Sequence, residues 1–526
     1  MKLNYFVIIC FFLFLPPMWG QQEFIKGKLL DVQTGEPVVF ATIRIKGKAM
    51  GVISNQDGGF RIPKRFKALG DVLIISSMGY QKKEIPIADL SPEDINIVRL
   101  YHGVLELSEA IVTAKKKRRR RQSPRRIVKR AIEAIPENFP QSTFSTIGYY
   151  RDYQLNQEND YINLNEAIIE VFDKGFDELD HKTSQVRIYD YKRNEDFKRY
   201  SLAEQRYNYH TQQKVINNAF LPDYGGNEFV ILRIHDALRN YKVNSFDFIN
   251  VLEQDLLRNH HFFWEEDTYM DNNILYTIGF RLTLPVHRVH GILHISKHDF
   301  SIHRIEYALY DRLKVNAVKK NNRHNTNKQL VFEVIMEYKP VEGKMFLNYI
   351  SFHNSFQLWD APIFMLRGIT VDLSKKCFIV TFSDLPVRKS ATNLRNYKFW
   401  FQGRKLKFVR GYLRRNVMEL YPDMEKAELQ LMFNEIENHG KRGQLEKEFL
   451  DVKISDIKDL KGNLLNKWIS RDYQQFREYF VQQIRQNTEQ VPDSLLMKKN
   501  RPIFKDQPIV RPDNFDEYWM NTPLKQ

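Results

Sequence analysis

Between residues 274 and 284 the chain reads Ile-Leu-Tyr-Thr-Ile-Gly-Phe-Arg-Leu-Thr-Leu, with an apolar side chain at every even position. Thr277, Gly279, Arg281 and Thr283 stand among the odd positions. Side chains alternate across a strand with period two, so this stretch reads as a β-strand with one apolar face. Leu330, Phe332, Val334, Met336 and Tyr338 repeat the pattern against Glu333 and Glu337. Between the two, Gly291–Ser296 turns through Lys297–Phe300 into Ser301–Tyr307, which reads as a hairpin. Hairpins in succession predict a large antiparallel sheet with one apolar face over residues 141–386.

Residues 23–113 carry a different rhythm, short β-rich runs parted by turn residues. Phe24–Leu30, Val38–Ile45, Phe60–Ile62, Val72–Ser76 and Ile95–Leu100 are separated by stretches such as Asp31–Pro37 and Ser54–Gly59. Asp-Gly and Gly-Gly admit positive φ where other residues do not, so Asp57-Gly58-Gly59 marks a turn. About seven short strands at this spacing predict a seven-stranded β-sandwich. The ordered set Gly27, Asp31, Thr34–Pro37, Ala41–Ile43, Gly51, Asn55, Asp57-Gly58, Phe60, Gly79-Tyr80 and the closing Leu105, Glu109 and Val112 resembles the carboxypeptidase regulatory-like domain. The resemblance implies a transthyretin-like sandwich and an exported protein of the Gram-negative cell envelope. It implies no peptidase activity.

Ser123-Pro124 supplies an N-cap and a first-turn proline for an amphipathic helix within residues 124–140, with Ile127, Val128, Ala131, Ile132 and Ile135 on one face. Ala131-Ile132, Ile135-Pro136 and Asn138–Pro140, then Gly148–Arg151 and Asn165–Ala167, resemble the start of an uncharacterised β-rich region that follows such sandwiches in envelope proteins. The hairpin phrase further resembles the curved half-barrel sheet of lipoprotein-localisation carriers. That resemblance implies an apolar, acyl-accepting groove along Ile274, Tyr276, Ile278, Phe280 and Leu282. The favoured alternative closes that face with helices of the C-terminal third. Residues 387–526 are mixed and charged and read as a mixed α/β segment, with a helix expected at Arg471–Asn487 from the shared face of Tyr473, Phe476, Tyr479, Phe480 and Ile484.

Residues 1–20 pair one Lys2 with the apolar run Phe6–Leu15 and end in Gly20. The run is too short for a membrane-spanning helix, which takes about 20 residues, so a cleaved secretion signal is expected, with an uncleaved anchor as the alternative. The expected address is the periplasm or the outer membrane, and no transmembrane helix is expected after cleavage. Loss of Cys10 would leave only Cys377, which excludes an intramolecular disulfide and leaves stability to burial.

The formal net charge of +16 is local in origin. Lys115–Arg130 holds eleven basic residues and no acidic one, and most of the excess vanishes without it. Lys115, Lys116, Lys117, Arg118, Arg119, Arg120 and Arg121 form a polybasic linker at 114–123, with Arg125 and Arg126 just beyond it. A solvated linker is the favoured reading, and contact with an anionic lipid or saccharide surface is the functional one. Export argues against nucleic acid.

Catalytic constellations are missing from the sequence. His303 and Glu306 match His-x-x-Glu, yet in a period-two strand they project to opposite faces and cannot share one ion. No His-Glu-x-x-His, Gly-x-Ser-x-Gly or phosphate-loop motif occurs. His287, His290, His294, His298 and His303 cluster, and a turn at His298-Asp299 would set His294 opposite His303. Two imidazoles are too few for a metal site, so exposed strand histidines are expected. Asn55-x-Asp57-Gly58 lacks the further carboxylates of a calcium loop. The expectation is a non-enzymatic envelope protein with no cofactor or metal, in a binding or assembly role and partnered by an envelope protein or an anionic surface. A lipid or lipoprotein carrier and an exported hydrolase are the alternatives.

Overall fold

The computed structural model describes residues 23–48, 50–103, 122–208, 211, 213–216, 227–241, 259–270, 273–312, 330–440, 449–486 and 491–524. Residues 1–20, expected to be a secretion signal, Lys115–Arg121 and the closing motif Leu105–Val112 lie outside them. The chain is mainly β and divides into two compact units, Met1–Tyr209 with Lys214–Phe356 and Asp472–Gln526, and His210–Gln213 with Gln357–Arg471. Among the described residues no helix is long and apolar enough to cross a membrane.

The first unit begins with the sandwich. β1 (Phe24–Asp31), β2 (Thr42–Ile45), β3 (Gly51–Ile53), β4 (Gly59–Pro63), β5 (Val72–Ser76), β6 (Lys83–Pro86) and β7 (Ile95–Leu100) form two sheets, β4-β1-β7 and β3-β2-β5-β6. All neighbours are antiparallel except β1 and β7, which run parallel. The turn before β4 forms as read, with Gly58 at φ 75 and Asp57 accepting from the Gly59 amide. The core of Ile25, Leu29, Ile43, Val52, Phe60 and Leu73 is completed by Trp519 from the other end of the chain. Its indole stacks at a tilt on Phe66, 5.5 Å between ring centres, and donates to the Arg61 carbonyl at 2.9 Å.

Helix α1 (Pro124–Glu133) starts as the sequence dictates, with the Ser123 side chain accepting from the Arg126 amide and Ile127, Val128 and Ala131 buried. A short α2 (Ile135–Asn138) follows, carrying Pro136 in its first turn. Arg125 and Arg126 are exposed on α1.

The large sheet has twelve strands. β8 (Phe144–Leu155), β9 (Tyr161–Asp173), β10 (Gln185–Arg193), β11 (Lys214–Val215), β12 (His261–Trp264), β13 (Thr268–Met270), β14 (Asn273–Thr283), β15 (His287–Ser296), β16 (Ile302–Asp311), β17 (Leu330–Val341) and β18 (Lys344–Asp360) precede the second unit, and β26 (Ile469–Gln486) follows it. Their order is β10-β9-β8-β26-β18-β17-β16-β15-β14-β12, with β11 on β18 and β13 on β14.

The segment expected to be a helix at 471–487 is therefore a strand, and it fills the middle of the sheet between β8 and β18. Residues from Phe476 to Gln482 are buried on both faces, which erases period two from the sequence. Its buried polar residues then imitated the wet side of a helix. The expected boundary at residue 386 shifts for the same reason, since the sheet draws on residues 144–360 and 469–486.

One face of the sheet is covered by the sandwich and the C-terminal tail. Phe40 and Ile53 of the sandwich pack with Tyr349 and Phe480, and Tyr518 of the tail packs with Ile147, Tyr149, Ile168 and Tyr189. Across the other face runs an aromatic row, Phe280–Tyr307–Phe332–Phe352, with successive ring centres 5.9, 6.0 and 5.8 Å apart. His235 stacks on Phe352 at 4.1 Å, just after helix α3 (Glu228–Ile234), whose Phe229 packs on Tyr150 and Tyr479. Cover on this face thus includes a segment from within residues 141–386, and helices of the C-terminal third are not what the described residues place there.

The row crosses β15 at Gly291. A Cβ built there would lie 2.2 Å from the tip of the Phe280 ring, so only glycine lets Phe280 reach Tyr307.

In the second unit β19 (Leu366–Asp372), β20 (Cys377–Phe382), β23 (Phe408–Arg414) and β24 (Val417–Pro422) make one sheet, and β21 (Tyr397–Phe401), β22 (Arg404–Lys405) and β25 (Leu450–Ile454) another. Its core gathers Phe378, Phe399, Met418 and Phe433, the last from α4 (Lys426–Gly440).

Truncating Trp519 to Ala should leave a cavity in the sandwich core and destabilise it by about 3–5 kcal/mol. Chemical denaturation followed by near-ultraviolet circular dichroism measures the loss, and an unchanged midpoint would show that the tail does not complete that core.

Candidate functional site

Two adjacent rungs between β8 and β26 organise the polar interior. In register, Arg151 faces Glu478 and Asp152 faces Arg477, so neighbouring residues on each strand send opposite charges to opposite faces. On the sandwich face the buried Arg151 donates through Nε to Glu478 and through Nη1 to Asn55 Oδ1. Tyr153 donates to the other oxygen of Glu478 at 2.9 Å, and Asn521 of the tail donates to the Ile53 carbonyl at 2.7 Å and to Asn55 at 3.2 Å. The Glu478 carboxylate raises the guanidinium's affinity for its proton despite complete burial. Asn55, read from the sequence only as part of a turn, is thus where the sandwich meets the sheet.

On the opposite face the charges separate around a cavity of about 410 Å³. Arg477 donates through Nε to Glu228 at the start of α3 and through Nη1 to Asn354 at 2.9 Å. Asp152, its register partner, accepts instead from Tyr150 at 3.1 Å and Asn165 at 2.8 Å. Burial first, then the nearby Glu228 carboxylate, push the Asp152 carboxyl up to about 7. Glu228 is held below its ordinary value by Arg477 and Lys214, which outweigh its burial. Lys214 donates to the carbonyls of Ala203 and Gln205 at 2.6 and 2.7 Å, and burial brings its ammonium down to about 7.

The cavity opens where the β8–β9 ladder is irregular. A register shift falls between Asp152 and Gln154, and opposite it Asn163 adopts φ 53. Asparagine tolerates that left-handed conformation, and bulges of this kind re-aim side chains. Asn163 accepts from the Tyr200 amide at 2.8 Å and donates to Gln154 at 2.7 Å. Gln475 of β26 and the tail residues Pro502–Lys505 complete the wall.

Of these cavity residues only Asn165 is named from the sequence, and that as part of a resemblance and not as a site. A faint signal exists in Asn163-Leu164-Asn165, where two asparagines interrupt an apolar strand. The groove residues lie elsewhere on this sheet. Ile278 and Phe280 are fully buried, Tyr276 and Leu282 half-buried, and Ile274 exposed. Tyr276 sits beneath the Lys297 ammonium, 5.1 Å from the ring centre, and beside Trp264.

The histidines depart from expectation. A bulge pairs His294 with Arg304 and Ile295 with Ile302, so His303 falls out of register and does not face His294. Both are buried, unlike the exposed strand histidines expected, and burial lowers His294 to about 4. His287, His290 and His298 stay partly or wholly exposed. Among the described residues no group of three or more His, Cys, Asp or Glu is placed to hold a metal ion.

Fold and cavity together define a multidomain β protein in which a small sandwich is joined to a large open sheet by hydrogen bonds from Asn55 to a buried arginine of the sheet and from Thr42 to Asn348. Residues 25–112 match the CarboxypepD_reg-like domain, and the chain carries that domain as its sandwich. Over 70 residues it is 39% identical to the TonB-dependent receptor SusC of Bacteroides thetaiotaomicron, a match covering 13% of this chain and 7% of the receptor. The chain therefore corresponds to only a small part of that receptor's length. Among solved structures, a LolA superfamily protein from Nitrosomonas europaea aligns at 10% identity over 44% of this chain and 86% of its own, with a TM-score of 0.18. A domain from Vibrio parahaemolyticus described as an outer membrane lipoprotein-sorting protein aligns at 10% identity over 44% and 85%, with a TM-score of 0.21. Scores this low do not establish a shared fold.

Arg151→Met should cost about 3–5 kcal/mol, because it strands the buried Glu478 carboxylate. Adding Glu478→Gln should recover part of that loss, as read from denaturation midpoints of the single and double variants.

Asp152 gives a signed pH dependence. Its folded value lies above the unfolded one, so between about pH 4 and about pH 7 the folded chain keeps a proton that the unfolded chain has released, and stability falls as pH rises. Lys214 acts in the window above about pH 7, where the folded chain has lost a proton and stability rises with pH. Asp152→Asn should therefore gain melting temperature over the parent progressively from about pH 4 to about pH 7. A gap that stays flat across this range would remove Asp152 as the titrating group.

Proposed function

We propose that the chain is a non-catalytic binding protein of the cell envelope whose recognition site is the polar cavity on the sheet. The observation that carries this reading is the state of the cavity's charged groups. Glu228 is engaged by Arg477, and Asp152 already accepts from Tyr150 and Asn165. Groups so restrained suit recognition, which needs fixed donors and acceptors, better than proton transfer. The envelope address is supported by the CarboxypepD_reg-like domain and by the identity shared with a TonB-dependent receptor. The basic tract at Lys115–Arg121, with the exposed Arg125 and Arg126, suits an anionic lipid or saccharide surface in that compartment.

A hydrolase is the second reading, favoured by one specific feature. Asp152 is pushed up to about 7 while the neighbouring Glu228 is held down, and two carboxyls driven apart in this way are the mark of an acid–base pair.

Fractionation of cells producing the full chain should recover it in the envelope, with an N-terminus near Gly20 or Gln21 by sequencing. Recovery in the cytosol with Met1 retained would end the envelope reading. Incubation with nitrophenyl glycosides and a mixed peptide substrate should show no turnover, and turnover abolished by Asp152→Asn would replace binding with catalysis.

A further inference from the structure

The cavity's floor and rim differ in chemistry. Buried at the floor are the carboxamides of Gln154, Asn163, Asn165, Asn227 and Gln475 together with Asp152. Gln154, Asn163, Asn165 and Asn227 donate respectively to the Ala203 carbonyl, Gln154, Asp152 and the Arg501 carbonyl, which fixes their orientation and leaves second lone pairs on their oxygens, while Gln475 adds amide donors. Gln475 accepts from Tyr207 at 2.9 Å and Lys214 at 3.4 Å through Oε1, while among the described residues no acceptor takes its Nε2 donors. Charge at the rim is largely cancelled in place. Glu204 is held by Arg193 at 3.2 Å and by Arg199, and Glu228 by Arg477. Arg206 and Lys505 are exposed to solvent. Phe504 supplies an apolar wall, seated against Tyr191 at 5.9 Å.

A floor of mixed donors and acceptors matches hydroxyl groups, which also donate and accept. It offers no concentrated charge to an ion. The volume lies toward the small end of the range of about 300–1,000 Å³ for ligand cavities. We propose that this cavity binds an uncharged polyhydroxylated ligand of one or two sugar rings, its hydroxyls on the carboxamide floor and one apolar ring face against Phe504. The proposal rests on the binding role inferred above and names the class of ligand.

Calorimetric titration of the full chain with glucose, galactose, mannose, lactose and sucrose tests it, alongside glucuronate, glutamate and inorganic phosphate. At least one neutral sugar should bind. Gln475→Ala should weaken it by about tenfold or more, the loss of one or two hydrogen bonds. Arg206→Ala, which removes an exposed charge at the rim, should leave it within about twofold. Because Gln475 lies in a central strand, Phe504→Ala serves as a second variant and should weaken binding while the circular dichroism spectrum is kept. Binding of the anions alone, lost in Arg206→Ala or Lys505→Ala, would overturn the ligand class and leave a binding protein. Binding of none of the eight probes, or sugar binding unmoved by both Gln475→Ala and Phe504→Ala, would overturn the proposal. Cleavage of lactose or sucrose would uphold the ligand class and overturn the non-catalytic role.

Discussion

The contact between Arg151 and Glu478 joins β8 to β26, and it is where the sheet, the sandwich and the tail meet. A guanidinium with no access to water is tolerable only where a carboxylate and further acceptors surround it, since the desolvation of each ion amounts to several kcal/mol. Those acceptors come from far apart in the chain. Asn55 belongs to the sandwich, Glu478 to a strand more than three hundred residues later, and the Asn521 carbonyl to the tail. A pair with such demands suits the assembly of distant segments in one register and penalises a slip by one residue, which would send Arg151 to the wrong face.

The same geometry explains why the neighbouring rung behaves differently. Arg477 is drawn to Glu228 on α3 and leaves Asp152 to the uncharged donors Tyr150 and Asn165. One face of the strand pair is thereby neutralised within the sheet and sealed beneath the sandwich. The other is neutralised by a helix and keeps an open space beside it. The cavity is thus a product of how charges are partitioned between two layers, with the bulge at Asp152–Gln154 giving it room.

Much of the scaffold was legible in the sequence because its signals are local. Asp57-Gly58 announces a turn, Ser123-Pro124 a helix start, and the even positions of 274–284 a strand. Each depends on neighbours a few residues away. The misreadings have the opposite character. β26 lost its periodicity because both its faces are buried, and its Glu478 and Arg477 side chains look solvated in the sequence although they pair with residues 151 and 228. The bulge that parts His294 from His303 shifts the register by one residue, something no periodicity encodes. The cavity residues run from Asp152 to Lys505 and become a group only once β26 is seated beside β8.

Trp519 gives this architecture a direction in time. The sandwich is made before the tail, yet the indole that completes its core is bonded to the Arg61 carbonyl across 458 residues of chain. At ordinary rates of synthesis the gap amounts to on the order of tens of seconds. During that interval the leading domain has its strands but lacks its largest plug, and a chain that stops early leaves it that way. Arrival of the Trp519 segment is thus reported in the packing of a sandwich made 458 residues earlier.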